Sequence, residues 1–204
     1  MQIRGVIFDY GGVLCHHPTK AQIAAAADLC GVSPDQFVRA LWKDRLVYDA
    51  GQDPKAYWRN AASLMGRSFD DEMIAIMIEH EIGFWSTLDN RVLGWADRLR
   101  TGGFRTAILS NLPRPLGAKL RGMKGFLEHF DHVTFSFELG YVKPERQIYE
   151  DALAGLSLEA DQSLFIDDRT ENIDGARAAG LNAELYSNWE AFAEIPARYS
   201  LPNL

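Results

Sequence analysis

Four polar clusters in this 204-residue chain have the residue types to act together on one phosphoryl group. Asp9 follows the apolar run from Ile3 to Phe8 and precedes Gly11-Gly12. Ser110-Asn111 closes an apolar stretch that begins at Arg105, and Lys143 lies in the segment from Glu138 to Pro144. Asp167-Asp168 follows Leu164-Phe165-Ile166. A short apolar run that stops at an acid and a glycine pair reads as a buried strand ending in a tight turn. Two adjacent acids at a buried strand end repel each other and resist desolvation, and a divalent cation relieves both costs. An aspartate nucleophile forms an aspartyl-phosphate, which divides hydrolysis into two easier steps. Magnesium neutralises carboxylate and phosphate together, while a serine hydroxyl and a lysine ammonium hold the remaining phosphoryl oxygens. Taken singly, Ser110-Asn111 also fits a helix cap and Lys143 a solvated loop lysine. The combination points to phosphoryl transfer.

The elements that must position these groups follow from periodicity and punctuation. Lys20 to Cys30 reads as a helix stopped by Gly31. Ser33-Pro34-Asp35-Gln36 starts a second, with Ser33 as cap, Gln36 closing a capping box, and Phe37, Leu41, Trp42 and Leu46 at helical spacing. Further helices are expected after Asp53, after Ser68 or Asp70, and after Asp89, the last ending at Gly102-Gly103. No strand is expected between Asp9 and Arg105. From there the pattern alternates: strand Arg105–Ser110, a helix near Leu116–Arg121, a short helix Gly125–Phe130, strand His132–Ser136, helix Pro144–Ala154, strand Leu164–Asp167, helix Glu171–Ala179 and strand Ala183–Tyr186. This predicts an α/β fold, a doubly wound parallel sheet with all four clusters at carboxyl ends of strands and hence on one rim. An ordinary strand–helix–strand crossover takes about thirty residues. The first connection here is far longer, so residues 16–85 read as an inserted helical cap, with 1–15 and 86–204 forming the core.

Composition narrows the function. The formal net charge is −7, which gives no basic surplus for nucleic acid or an anionic membrane. The two cysteines, Cys15 and Cys30, are too few for a disulfide framework and are not spaced as a zinc site. The chain opens directly into an apolar strand and carries no apolar run of membrane-spanning length, so a cytoplasmic location is expected. The expected partner is a small phosphorylated metabolite, with the protein a monomer or homodimer.

The stretches Phe8–Leu14 (FDYGGVL), Ile108–Asn111 (ILSN), Glu138–Leu153 (ELGYVKPERQIYEDAL) and Phe165–Leu181 (FIDDRTENIDGARAAGL) resemble the four motifs of the haloacid dehalogenase superfamily, in order and in strand placement. They are most similar to the branch holding glucose-1-phosphate phosphatases and the N-terminal phosphatase domain of soluble epoxide hydrolases. The resemblance implies a Rossmann-like core with a helical cap inserted after the first strand. It implies that Asp9 is the nucleophile and a Mg2+ ligand, that the Gly11 carbonyl and Asp168 are further ligands, and that Asp167 and Asn172 support them. It implies that Ser110, with Asn111, binds the phosphoryl group and that Lys143 bridges that group and the nucleophile.

The chain departs from this pattern at Gly11, where phosphatases of the superfamily usually carry a second aspartate that protonates the leaving group. General acid–base help is worth about 10²–10⁴-fold. The consequence is a slow phosphatase, a substrate with a good leaving group, or a substitute among His16, His17 and Glu138. Two other outcomes are a metal-independent haloacid dehalogenase using the same Asp9 and a catalytically weakened phosphate-binding relative. In the cap, Lys43, Arg45, Tyr48 and Trp58 are candidates for setting specificity.

Overall fold

The computed structural model describes residues 2–204. Strand β1 (Gly5–Phe8) is followed by six helices before the next strand: α1 (Lys20–Cys30), α2 (Pro34–Lys43), α3 (Arg45–Asp49), α4 (Pro54–Leu64), α5 (Asp71–Phe84) and α6 (Asn90–Thr101). The chain then runs β2 (Arg105–Ser110), α7 (Arg114–Gly122), β3 (His132–Phe135), α8 (Ser136–Leu139), α9 (Arg146–Leu156), β4 (Ser163–Asp167), α10 (Thr170–Ala178) and β5 (Asn182–Leu185). Two short helices, α11 (Trp189–Phe192) and α12 (Ile195–Arg198), close it. The five strands form one parallel sheet in the order β3-β2-β1-β4-β5. This is the α/β, Rossmann-like doubly wound architecture that the alternation predicts.

The register fixes the rim. Phe8 pairs with Ile108 on one side and Ile166 on the other, so Asp9, Ser110 and Asp167 emerge side by side at the carboxyl ends of three central strands. Alternate strand residues feed two cores. Ile7, Leu109 and Phe165 pack under α9 and α10, against Ile148, Tyr149 and Ile173. Phe8, Ile108 and Ile166 pack on the opposite side with Trp95 and Leu99 of α6, in a core continuous with the helices of the long connection. Both faces are buried, as a parallel sheet requires.

The starts of α2, α4, α5 and α6 are where the sequence places them, with one exchange of partners. Ser33 accepts from the Gln36 amide, Asp53 from Ala56 and Asp70 from Met73. Gln36 does not close a capping box, because its side-chain amide donates to the Met65 carbonyl and ties α2 to the end of α4. The reciprocal box forms at Thr19 and Gln22 instead. The second predicted helix also stops earlier than its apolar spacing suggests. It breaks at Asp44, and α3 begins anew at Arg45, so Phe37 and Leu41 are buried while Trp42 and Leu46 are exposed. Among the described residues, no helix is long and apolar enough to cross a membrane.

Candidate active site

The turn after β1 is held from both directions. The Asp9 amide donates to Ile166 of β4, and the Cys15 amide donates to the Tyr10 carbonyl. The loop is then fastened to the segment that returns from α5. The Tyr10 hydroxyl donates to the Trp85 carbonyl at 2.6 Å, the His16 amide to Thr87, and the Asp89 amide to Leu14. The two chain segments joining core and helices are therefore cross-bonded, and they present Asp9 on a stiff support. Gly12 adopts φ +82°, and a Cβ there would lie 2.5 Å from Oδ2 of Asp168. Only glycine satisfies both the left-handed backbone and this close approach.

At the centre, Lys143 is almost wholly buried, with Nζ 2.8 Å from Oδ1 of Asp9 and 2.6 Å from Oδ2 of Asp167. It also donates to the Leu109 carbonyl at 3.1 Å. Burial opposes its charge, but the Asp167 and Asp9 carboxylates outweigh burial and hold the ammonium above the ordinary lysine value. Asp9 also accepts from the Tyr10 amide on Oδ1, and among the described residues no donor reaches Oδ2. Burial pushes the Asp9 carboxyl up, Lys143 draws it down, and Asp167 and Asp168 push it up again, which together leave it at about 7. Asp167 is saturated by Lys143, the Arg169 amide and the Asn172 side chain, so it acts as a brace for the lysine.

Oxygens of Asp9, Asp167 and Asp168 lie within 4.8 Å of one another. Gly11 lines the same cavity as Asp9 and Asp168, and among the described residues its carbonyl accepts no hydrogen bond. This is a hard, all-oxygen donor set, suited to magnesium or calcium and not to a softer metal.

Ser110 is buried at the end of β2 and lines the cavity above Asp9. Asn111 lines it too, but its amide is engaged on both atoms with the Lys143 backbone, accepting at 2.7 Å and donating at 3.0 Å. Asn172 holds Asp167 and, through its carbonyl, takes the Tyr149 hydroxyl. Asp9, Gly11, Ser110, Asn111, Lys143, Asp168 and Asn172 thus share one cavity of about 760 Å3, with Asp167 directly behind.

Of the three groups considered as substitutes for the missing acid, only His17 lines that cavity. Its Nε2 lies 2.9 Å from Oδ2 of Asp168, and this bond holds the imidazole above the ordinary histidine value. His16 faces Asp89 instead, at 3.9 Å, and Glu138 is clamped by Arg121 away from the cavity. Arg45 and Lys43 line the cavity, whereas Tyr48 and Trp58 are buried and do not.

Several site features have no local signal in the sequence. Trp85 lies over Gly11, with Cζ3 only 3.1 Å from where a Cβ would sit. Arg45 is closed inside a buried cluster with Asp49 and Glu81, and Tyr48 donates to the same glutamate. The Trp85–Gly11, Arg45–Glu81 and Tyr48–Glu81 pairings join segments distant in the chain, whereas Arg45–Asp49 is a local pair within α3.

Comparison with known proteins gives a consistent picture. A family model described as a haloacid dehalogenase-like hydrolase matches residues 3–180. The human haloacid dehalogenase-like hydrolase domain-containing protein 3 is 33% identical over 59% of this chain and 49% of its own length. The sesquiterpene phosphatase astK of Aspergillus oryzae is 30% identical over 46% of this chain and 47% of its own length. The chain thus spans about half the length of these two curated relatives. The (S)-2-haloacid dehalogenase 2 of a Pseudomonas species is 27% identical over 88% of this chain and 81% of its own. Among solved structures, a haloacid dehalogenase family enzyme of Bacteroides thetaiotaomicron, crystallised with magnesium, aligns with TM-score 0.73 at 19% identity, covering 91% of this chain and 93% of that one.

Proposed function

Because the chain belongs to the haloacid dehalogenase-like hydrolase family, we propose that it is a magnesium-dependent phosphatase of a small phosphorylated metabolite, acting through an aspartyl-phosphate on Asp9. The observation that carries this reading is the grouping of three carboxylates, two of them joined by the buried Lys143. Two buried acids against one ammonium, with the partly buried Asp168 beside them facing only His17, concentrate negative charge that a divalent cation neutralises. A dehalogenase attacking carbon needs no metal, and in it that charge would stand uncompensated.

The chain's own residues divide the work. Lys143 and the Tyr10 amide hold Oδ1 of Asp9, so Oδ2 is the attacking oxygen. The Oδ2–phosphorus bond forms as the bond from phosphorus to the leaving oxygen breaks, and the electron pair departs with that oxygen. Water then attacks phosphorus and regenerates the carboxylate with release of inorganic phosphate. The Ser110 hydroxyl and the Lys143 ammonium stabilise the phosphoryl oxygens as charge develops. Magnesium, held by Asp9, Asp168 and the Gly11 carbonyl, would screen carboxylate from phosphate and keep Asp9 ionised. Residues 16–85 serve as the cap that closes over the rim and excludes water.

The test is phosphate release from a panel of phosphorylated metabolites, with and without magnesium, by wild type and Asp9→Asn. The reading predicts release that requires both magnesium and Asp9. Chloride release from 2-haloacids in the presence of a chelator would replace it with the dehalogenase reading. Phosphate binding without turnover would identify a catalytically weakened relative.

A further inference from the structure

We propose that the substrates are monoesters of small aryl alcohols, whose leaving group is both apolar and weakly basic. This rests on the phosphatase reading above and names its substrate class. Two separate observations lead to it.

The first is the wall opposite the carboxylates. The break at Asp44 turns the end of α2 and all of α3 so that Trp42, Leu46 and Val47 line the cavity mouth while remaining 42%, 50% and 58% exposed. Trp85, Leu112 and Leu116, themselves buried, line the same cavity. Large apolar side chains left open to water around one cavity mark a ligand's apolar surface. Two of the six are indoles, which favour a flat aromatic partner in offset or edge-on contact. The charged groups on this side are mostly engaged. Arg45 is closed on Asp49 and Glu81, Asp44 takes the Asn60 amide, and Arg169 is paired with Glu171. Of these charged groups, Lys43 and Asp44 have no ion-pair partner among the described residues, and Lys43 lies at the exposed edge. A sugar would meet few free hydrogen-bonding groups here.

The second observation is at the leaving oxygen. Gly11 offers no proton, and the Trp85 indole occupies the adjoining space. His17, the one candidate acid that lines the cavity, has its Nε2 turned to Asp168 at 2.9 Å, so the leaving oxygen departs largely as an anion. A phenol, with pKa about 10, tolerates this far better than an aliphatic alcohol. Acyl phosphates satisfy the second requirement without the first, and alkyl phosphates the first without the second. Aryl phosphates satisfy both. In the reaction, the bond from Oδ2 of Asp9 to phosphorus forms while the phosphorus–phenolate bond breaks, and the phenolate carries away the electron pair.

The experiment compares kcat/KM, with magnesium, for phenyl and 1-naphthyl phosphate, hexose phosphates, hexyl phosphate and acetyl phosphate, in wild type, Leu46→Ser and Val47→Ser. A series of substituted phenyl phosphates reads the leaving-group dependence. The proposal predicts that the aryl esters exceed the hexose and hexyl esters, with naphthyl above phenyl. It predicts a steep fall in log kcat/KM as the phenol becomes more basic. In either variant the ratio of naphthyl to acetyl phosphate turnover should drop about tenfold, the scale of one lost apolar contact. A non-hydrolysable naphthyl phosphonate should raise Tm in wild type more than methyl phosphonate does, a binding readout independent of turnover. Hydrolysis of acetyl or hexose phosphates with no aryl preference, or a flat leaving-group series, overturns the aryl proposal and leaves the phosphatase reading intact. No magnesium-dependent hydrolysis of any ester, acetyl phosphate included, overturns both.

Discussion

Gly11 and Lys143 carry the most specific expectations about single side chains. A Cβ at position 11 would meet the Trp85 ring at 3.1 Å, so an aspartate there is overpacked. Gly11→Asp should therefore destabilise the fold by about 1–3 kcal/mol in urea unfolding and give little gain in rate. Combined with Trp85→Ala, the same aspartate has room, and turnover of esters with basic leaving groups should rise relative to the Trp85→Ala parent. Lys143→Met removes the single ammonium between Asp9 and Asp167, and it should abolish turnover and cost about 3–5 kcal/mol of stability. A Lys143→Met protein as stable as wild type would contradict the charge arrangement described here. At this scale Asp9, Ser110 and Asp168 are legible in the sequence because each sits at a strand end whose neighbours announce the strand, and Lys143 because it lies in the polar segment that follows β3 and α8. Trp85 is not, because its contact with the turn at Tyr10 spans 75 residues and no local pattern encodes it.

Helix α6 shows how one element fixes the turn that carries the nucleophile. Its cap, Asp89, accepts from the Arg91 amide at 2.9 Å and pairs with the Arg91 guanidinium at 2.7 Å, while its own amide donates to Leu14. Hydrogen bonding to Arg91 holds the Asp89 carboxyl below its ordinary value of 3.8, against a smaller opposing effect of burial. A depressed folded value means the stabilisation is present above pH 3.8 and is lost as pH falls through the still lower folded pKa. Asp89→Asn keeps a good cap and removes only the charge. It should lower stability at pH 7 by about 1 kcal/mol, the partly exposed arginine screening the pair, and the gap to wild type should close below pH 4. Stability curves measured from pH 7 to pH 2 check this, and a gap that persists at pH 2 would point to lost packing and not lost charge. Helix starts were readable because Ser33, Asp53, Asp70 and Asp89 are strong caps. The break between α2 and α3 was not, since the spacing of Phe37, Leu41 and Leu46 suits one continuous helix. It arises from a tertiary demand: Arg45 turns inward to meet Asp49 and Glu81, and Leu46 is carried outward to the cavity mouth.

For the molecule as a whole, the sheet order β3-β2-β1-β4-β5 puts β1 in the middle, so its carboxyl end lies between those of β2 and β4. This is why residues from three distant stretches converge on Asp9. The topology was legible because strands and helices alternate after Gly103, and parallel strands joined by right-handed crossovers leave few arrangements. The site's depth was less so. The wall formed by the end of α2 and by α3 depends on how helices α1–α5 pack on one another, and their apolar spacing says only that they bury one another. The central claim is that Asp9 accepts a phosphoryl group beside magnesium. The most direct measurement is 19F NMR of the protein with magnesium and beryllofluoride, a mimic of the aspartyl-phosphate. The account predicts bound-beryllofluoride resonances that need magnesium and vanish in Asp9→Asn. Resonances that survive Asp9→Asn, or none in wild type at saturating magnesium, would contradict it.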